Sequence, residues 1–371
     1  MLKHVIEINI NIMFGFDIPT RIDYSKKKDL YLQTYGIDEE PSMKVTMKDI
    51  AEKTGVSINT VSLALRNMTS VKKETRELIW QTALQMGYLE QKSKPDIHNI
   101  GLISTGERLQ DSYFYMSFYQ NILSRVHDRG YNMMVFKGDA CDTQPDALRD
   151  IFETNSISGL IVLGDMEERI VAKIAATNLP LIATGTRYHT LKVPTIIEDN
   201  LEGAHIAVKH LSEKGYRDIG FIGNPLHSTG FKERYEGFMG AMFHFGLLPR
   251  QEWMVTDLDK THVYDLDRLR SKLGGLKIYP EAFICTNDNM AVLAAKIFSE
   301  LELSIPNDIA LVGFDNSIIG KMSTPSITSI DVQCALQAET CVQVLIDYIE
   351  NGTMDPYRMV LPVTLSCKES T

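Results

Sequence analysis

The sequence predicts an α/β protein that has a small helical head followed by a large two-lobed body built on parallel sheets. Two short amphipathic helices joined by a tight turn are predicted within Val45–Asn67. From Asn99 onward, apolar strand-like runs alternate with amphipathic helices, a pattern typical of parallel sheets covered on both faces. The alternation forms two similar series that meet near Glu198–Asn200, so a cleft between two lobes is expected.

The first helix of the head is marked at both ends. Thr46 stands three residues before Asp49, the spacing of a capping box, so a helix is predicted to begin at Met47. Gly55 takes a positive φ at no steric cost and is expected to end that helix.

A second helix is predicted from Ser57, which can cap its exposed amides, to about Leu65. Helical spacing places Val61, Ala64 and Leu65 on the inward face. The outward face carries an asparagine that matches the adenine edge, two aliphatic side chains that can pack on a thymine methyl, and groups suited to phosphates. The candidate DNA contacts are Thr46, Ser57, Ile58, Asn59, Thr60, Ser62, Leu63 and Arg66. The alternative is an ordinary amphipathic helical pair, which shows a similar alternation of polar and apolar positions.

A third helix is predicted over KKETRELIWQTALQMGY, with Leu78, Ile79, Ala83 and Met86 on its inward face and Gly87 at its end. Lys72 occupies the expected cap position, where a serine would bond the first amides. This substitution is expected to weaken the start of the helix by about 1 kcal/mol.

The body is predicted to contain two strand-helix series. The first comprises IGLIST, FYQNILSRVHDRGY, NMMVFKG, ISGLIVLG, VAKIAATN and LPLIATG. The second comprises PTIIEDN, GAHIAVKHLSEKGY, DIGFIGN, GFKERYEGFMGAMFHFG, WMVTDL, EAFICTNDNMAVLAAKIF and DIALVGFDN. A final helix, CALQAETCVQVLIDYIENG, carries an apolar stripe of Ala338, Cys341, Val342, Leu345 and Ile349.

Charge is unevenly distributed along the 371 residues. Residues 43–98 hold nine Lys and Arg against six Asp and Glu, so this segment carries +3, the whole chain −10 and the remainder −13. The basic excess lies in the head, and an acidic body is expected to avoid phosphates.

Several function classes are disfavoured by the sequence. No run of eighteen uncharged apolar residues predicts a membrane span, and the apolar start lacks a signal-peptide cleavage site. Five scattered cysteines without a C-x-x-C pair indicate thiols of a cytoplasmic protein, not disulfides or a zinc site. No G-x-S-x-G, Walker or H-E-x-x-H motif occurs, so we expect no enzyme, metal or cofactor.

The segment TMKDIAEKTGVSINTVSLALRN, followed by TRELI and LQMGY, resembles the head of the lactose-repressor/galactose-repressor (LacI/GalR) family of bacterial transcription regulators. The resemblance extends, with gaps, from Met43 to the end of the chain. It implies double-stranded operator DNA as a partner and a body similar to type I periplasmic binding proteins, with a small effector between the lobes. The final helix resembles the family's helix on the dimer face, and no leucine heptads follow it, so a homodimer is expected.

The resemblance also implies a domain division. Residues 1–42 are an unmatched N-terminal extension, 43–90 the helix-turn-helix domain, 91–98 a linker, and 99–371 the effector-binding and dimerisation domain. The N-lobe is expected at about 99–198 and 333–352, and the C-lobe at about 199–330 and 356–371. The linker is several residues shorter than in the family and lacks the leucine that wedges into the minor groove, so this mode of DNA bending is not expected.

Effector contacts are expected where the chain matches family motifs. Tyr113 and Phe114 resemble the aromatic pair of the N-lobe, Arg234 matches the R-x-x-G-F arginine, and Asn287 and Asp288 match the N-D pair that follows a strand. Ser228 is a further candidate. Each has an ordinary structural alternative: a core aromatic pair, a surface ion pair or a helix cap.

Two departures from the family pattern leave the class of ligand open. Leu258-Asp259-Lys260 stands where many relatives carry a stacking aromatic, and Asp331-Val332 where a glutamine is common. A sugar is expected first, with a nucleoside, sugar phosphate or polyol as alternatives. The implied function is a ligand-controlled transcription regulator, in most cases a repressor; the alternative is a soluble small-molecule-binding module with a vestigial head.

We expect N-terminal mass spectrometry of the native protein to find Met43 as the first residue, or deletion of 1–42 to leave operator affinity unchanged. An intact mass that includes Met1, together with altered DNA affinity after the deletion, would contradict this expectation.

Overall fold

The computed structural model describes residues 45–65, 71–86, 88, 98–106, 114–352 and 355–371. The chain divides into two compact units with the boundary between Asp96 and Ile97. The head belongs to the first unit and the body to the second, and each is described by itself.

Three helices form the head: α1 (Met47–Thr54), α2 (Ile58–Leu65) and α3 (Lys73–Gln85). All three pack on one another around a small apolar core. The buried members of this core are Ile50, Ala51, Val61, Ala64, Val71, Ile79, Ala83 and Tyr88. The predicted helical pair and third helix are therefore present, and Val61 and Ala64 face inward as expected.

The predicted capping box is confirmed. The Thr46 amide donates to the Asp49 carboxylate at 2.6 Å, and the Asp49 amide donates to the Thr46 hydroxyl at 3.4 Å. The hydrogen bond from the Thr46 side chain lowers the pKa of Asp49. Gly55 ends α1 with φ of 70°, as predicted. The Ser57 hydroxyl accepts from the Thr60 amide at 3.1 Å, so it caps α2.

The start of α3 lacks a side-chain cap, as the sequence predicted, because the Lys72 side chain makes no capping hydrogen bond. One expected inward residue of this helix is wrong: Leu78 is 50% exposed. Ile79, Thr82 and Ala83 are buried instead, since the inward face centres one residue further along the helix. Trp80 donates its indole N–H to the Ala64 carbonyl at 3.1 Å and so joins α3 to the end of α2.

The N-lobe is a six-stranded parallel sheet in the order β11-β5-β4-β3-β1-β2. Its strands are β1 (Asn99–Ser104), β2 (Asn132–Lys137), β3 (Ile157–Leu163), β4 (Leu181–Thr184), β5 (Thr195–Glu198) and β11 (Arg358–Leu361). Its helices are α4 (Tyr115–Asp128), α5 (Pro145–Thr154), α6 (Glu168–Ala175) and α12 (Cys334–Asn351). Apolar clusters cover both faces of the sheet, as the alternation predicted.

The C-lobe is a second six-stranded sheet in the order β12-β10-β9-β8-β6-β7. Its strands are β6 (Ile219–Ile222), β7 (Met254–Val255), β8 (Ala282–Cys285), β9 (Ala310–Phe314), β10 (Thr328–Asp331) and β12 (Thr364–Ser366). Its helices are α7 (Asn200–Glu213), α8 (Thr229–His244), α9 (Leu266–Gly274), α10 (Asp288–Glu300) and α11 (Ile318–Met322). The prediction of parallel strands holds except at the edge, where β12 runs antiparallel to β10.

The chain passes between the lobes at three places. The first follows Glu198, where β5 ends and α7 begins, and the second lies between β10 and α12. The third lies at Pro362–Val363, between β11 and β12. The expected C-lobe segment 356–371 is therefore partly wrong, because β11 pairs with β5 and extends the N-lobe sheet.

The apolar stripe of α12 does not lie on an exposed face. Ala338, Cys341, Val342 and Leu345 are buried in the N-lobe core, where the helix packs on α4 and β3. These residues stabilise the lobe itself, and the expected place of this helix at a dimer face stays a prediction. All five cysteines are thiols, three of them buried. Within the described ranges, no helix has the length and apolar character needed to cross a membrane.

Gly237 allows α7 and α8 to lie close together. A Cβ at this position would lie 2.7 Å from the Leu201 carbonyl oxygen and 2.9 Å from the Leu201 Cα. Because Arg234 lies one turn earlier on α8, the glycine of the RYEGF motif also fixes the position of the arginine.

We expect Gly237→Ala to lower the free energy of unfolding of the body by about 1–3 kcal/mol, because backbone atoms would have to move. Gly240→Ala on the same helix is the matched control, since a Cβ there meets nothing within 4 Å and alanine favours helix. Urea denaturation of the two variants would measure the difference, and equal stability would contradict this close approach.

Candidate functional site

A cavity of about 110 Å³ lies between the two lobes. It opens where strands of both sheets end, the position at which open α/β sheets place their ligands. The volume has room for several water molecules, and hence for a small ligand. Four predicted effector residues line it: Phe114, Ser228, Arg234 and Asn287. Tyr113 lies outside the described residues.

Arg234 is buried, with 6% of its surface exposed, and its guanidinium is held on every side. Its Nε donates to Asn200 at 2.8 Å and its Nη1 to the Thr286 carbonyl at 2.8 Å. The guanidinium also lies 3.8 Å from the centre of the Phe314 ring. The structure therefore places Arg234 at the cavity wall as a structural anchor as well as a lining group.

Two carboxylates complete the surroundings of Arg234, one from each lobe. Glu198, at the end of β5, lies 3.4 Å from its Nη2, and Asp315, directly after β9, lies 3.1 Å from its Nη1. All three side chains are less than a tenth exposed. The guanidinium is thus paired within the protein, and a carboxylate ligand would have to compete with these partners.

Asn287 and Ser228 act as helix caps at the rim of the cavity. The side-chain oxygen of Asn287 accepts from the backbone amide of Met290 at 3.0 Å, and its side-chain nitrogen donates to the Tyr264 hydroxyl at 2.8 Å. The Ser228 hydroxyl accepts from the Phe231 amide at 3.1 Å. The capping alternative is therefore correct for Asn287, Ser228 is a helix cap as well, and both residues also line the cavity.

The expectation that Asp288 contacts the effector is corrected, because it is not among the described residues that line the cavity. One of its carboxylate oxygens accepts from the Ser317 amide at 2.6 Å and the Ser317 hydroxyl at 2.9 Å. The other accepts from the Ser329 hydroxyl at 2.6 Å. Burial raises the pKa of Asp288, an effect that these hydrogen bonds oppose. Its role is to join α10 to the turn after β9 and to strand β10.

Several lining residues were not found from the sequence. Asp165 follows β3 and Asp315 follows β9, so the rule that ligand groups gather at carboxyl ends of strands could have identified both. Leu258, which stands where many relatives carry a stacking aromatic, is buried, and Tyr264 supplies an aromatic ring to the cavity instead. Gln337 supplies the polar amide that was sought at Asp331-Val332.

Asp165 also connects the lobes. Its carboxylate, on the N-lobe, accepts from the Thr229 amide at 3.1 Å and the Thr229 hydroxyl at 2.9 Å, at the start of α8 in the C-lobe. Arg187 of the N-lobe pairs with Glu233 of the C-lobe at 3.0 Å. The cavity is therefore bounded by polar contacts that cross from lobe to lobe.

The candidate DNA-binding face lies on the head. Ile58 is 48% exposed and Asn59 is exposed beside it at the start of α2. Ser62 is half-buried, and the Thr60 hydroxyl lies 2.8 Å from that of Ser57. The Thr46 hydroxyl already donates to the Asp49 carboxylate within the capping box. Arg66 lies outside the described residues.

Leu63 departs from the outward placement that the sequence predicted. It is half-buried and packs against the apolar core of the head, because the amphipathic face of α2 is wider than the inward stripe. Its availability to a base is correspondingly reduced.

Two sequence families match the chain. Residues 46–91 match the family described as bacterial regulatory proteins, lacI family, and residues 208–371 match the periplasmic binding protein-like domain. The chain belongs to the lacI family. Members of this family regulate transcription, so this lacI-family chain is a DNA-binding transcription regulator and not an enzyme.

Relatives span nearly the same length as this lacI-family chain. The HTH-type transcriptional repressor PurR of Glaesserella parasuis serovar 5 (strain SH0165) is 27% identical over 332 residues, which are 86% of this chain and 94% of the relative. The NTD biosynthesis operon regulator NtdR of Bacillus subtilis (strain 168) is 27% identical over 332 residues, 88% of this chain and 99% of the relative.

Solved structures share the fold. A transcriptional regulator CelR–cellobiose complex matches with a TM-score of 0.63 at 21% identity, covering 88% of this chain and 100% of that one. A Lac repressor dimer bound to operator and the anti-inducer ONPF matches with a TM-score of 0.62 at 22% identity, covering 88% and 98%. The predicted fold, a helix-turn-helix head with a two-lobed periplasmic-binding-protein-like body, is confirmed.

We expect Asp288→Asn to destabilise the body by about 1–3 kcal/mol, because one of the two accepting oxygens becomes an NH₂ that faces either the Ser317 amide or the Ser329 hydroxyl, both of which now donate to the carboxylate. Asp267→Asn, at a side chain that is 92% exposed, should change stability little. Denaturation curves measure the change. Unaltered stability combined with lost ligand affinity would instead restore Asp288 as an effector contact.

Proposed function

We propose that the protein is a repressor that binds a near-palindromic operator as a homodimer, and that a small ligand held between the lobes controls its affinity for DNA. The observation that carries this proposal is the combination, in one chain, of an exposed recognition helix and a cavity enclosed by both lobes. The site of action that goes with this role is the cytoplasm.

The head supports sequence-specific binding. Asn59 is the residue best suited to read a base, because its side chain offers a donor and an acceptor to an adenine edge in the major groove. Ile58 lies beside it and can pack on a thymine methyl. The bond from Trp80 to the Ala64 carbonyl holds α2 against α3, which presents these two side chains on a rigid helix.

The body supports control by a ligand. Glu198 lies in the N-lobe, Arg234 and Asp315 in the C-lobe, and all three line the cavity. A ligand that contacts these groups changes the free energy of the contacts between lobes, and with it their relative arrangement. In a dimer, rotation of the N-lobes alters the spacing of the two heads and therefore the match to operator half-sites.

The effector class is proposed as a sugar or sugar derivative. Aromatic rings and hydrogen-bonding side chains line the cavity together, as in sites that bind polyhydroxylated ligands. The cellobiose complex of CelR offers a precedent in a protein of the same fold.

We expect Asn59→Ala to weaken binding to the specific operator by roughly 10- to 100-fold, the loss of one bidentate base contact. Gln81→Ala is the matched control, because it removes an exposed amide from α3 without touching the recognition helix. Mobility-shift titrations at one stated salt concentration, on the operator and on a scrambled palindrome, measure both. Equal affinity for the two DNAs, or an equal loss in the two variants, would refute sequence reading by Asn59.

A further inference from the structure

The cavity between the lobes has an excess of negative charge. Three carboxylates line it, those of Asp165, Glu198 and Asp315, against the single guanidinium of Arg234 among the described residues.

The guanidinium offers little to an anionic ligand. Glu198 and Asp315 pair with Arg234 on two sides, and the guanidinium also donates to Asn200 and to the Thr286 carbonyl. The positive charge is therefore compensated within the wall of the cavity, and a phosphate or carboxylate would meet the two acidic side chains as well.

Other donors of the wall are also engaged. Gln337 donates to the Thr184 hydroxyl at 3.1 Å and to Glu198 at 3.2 Å. Asn287 donates to the Tyr264 hydroxyl. The carboxylates accept some of these bonds, but each carboxylate oxygen can accept more than one hydrogen bond, so the three carboxylates keep acceptor capacity for a ligand rich in donors.

Besides the carboxylates, the cavity is lined by aromatic rings. Phe114, Tyr115, Phe231 and Tyr264 line the same cavity, and the His227 ring lies 4.9 Å from that of Phe231. The faces of aromatic rings attract cations, and a site that combines them with carboxylates suits an ammonium group. The same rings can pack on the C–H faces of a sugar ring.

We infer that the effector carries a positive charge, an amine on a small polyhydroxylated molecule such as an amino sugar. This inference rests on the proposed function, since it names the ligand class of the same cavity. The ammonium donates to the carboxylates, hydroxyl groups supply further donors, and the aromatic rings cover the apolar face. Sugar phosphates, one of the classes that the sequence left open, are disfavoured by repulsion from the same carboxylates.

The test is a matched series measured by titration calorimetry at low salt. It comprises D-glucosamine, D-galactosamine and D-mannosamine, each compared with the neutral sugar, with the N-acetylated amine and with the 6-phosphate of the neutral sugar. We expect at least one amine to bind roughly tenfold or more tightly than its neutral partner, with acetylation removing the gain. Added salt should reduce the preference.

Glu198→Gln and Asp315→Asn each remove one negative charge from the cavity and should bring the ratio of amine to neutral affinity toward one. Two variants are used so that a folding failure of one leaves the other. Asp267→Asn makes the same charge change on the exposed face of α9 and should keep the ratio.

A neutral sugar or phosphate that bound more tightly than the amines would overturn the inference, and so would the failure of all three amines to bind at millimolar concentration. Operator binding is measured separately, on the ligand-free protein. Its loss of sequence preference would refute the proposed function and not the ligand class.

Discussion

The buried guanidinium of Arg234 is the point on which the arrangement of the body depends. It pairs with Glu198, the last residue of an N-lobe strand, and with Asp315, the first residue after a C-lobe strand. It also stacks on Phe314 within the C-lobe. Loss of one partner from a buried pair costs about 3–5 kcal/mol because the other charge is left unpaired. The packing of α8 on α7 at Gly237 is what places the guanidinium between the two carboxylates.

This arrangement links ligand recognition to the relation between the lobes. Two of the three carboxylates that face the cavity also hold the lobes together, Glu198 through its pair with Arg234 and Asp165 through its contact with Thr229. A ligand that donates to these oxygens therefore acts directly on the contacts between lobes. No separate transmission route is required, because binding and closure share one set of side chains.

Local signals in the sequence predicted local structure well. The capping box of Thr46, the cap at Ser57, the weak start at Lys72 and the crossing after Glu198 all follow from the nature and spacing of neighbouring residues. Helical periodicity, by contrast, locates the inward face of a helix only approximately, which is why Leu78 was placed inside although Ile79, Thr82 and Ala83 are the buried residues. The role of Asp288 could not be read from a motif, because the serines that bond it lie 29 and 41 positions away in the sequence.

The most direct test of this account is amide hydrogen exchange in Arg234→Lys, which keeps the charge but replaces the planar fork of five N–H donors by one compact ammonium. The account predicts faster exchange in both lobes at once, at the end of β5 and in the turn after β9, with the head unaffected. Exchange that remained at the wild-type rate in both segments while ligand affinity fell would contradict it, and would make Arg234 a ligand contact alone.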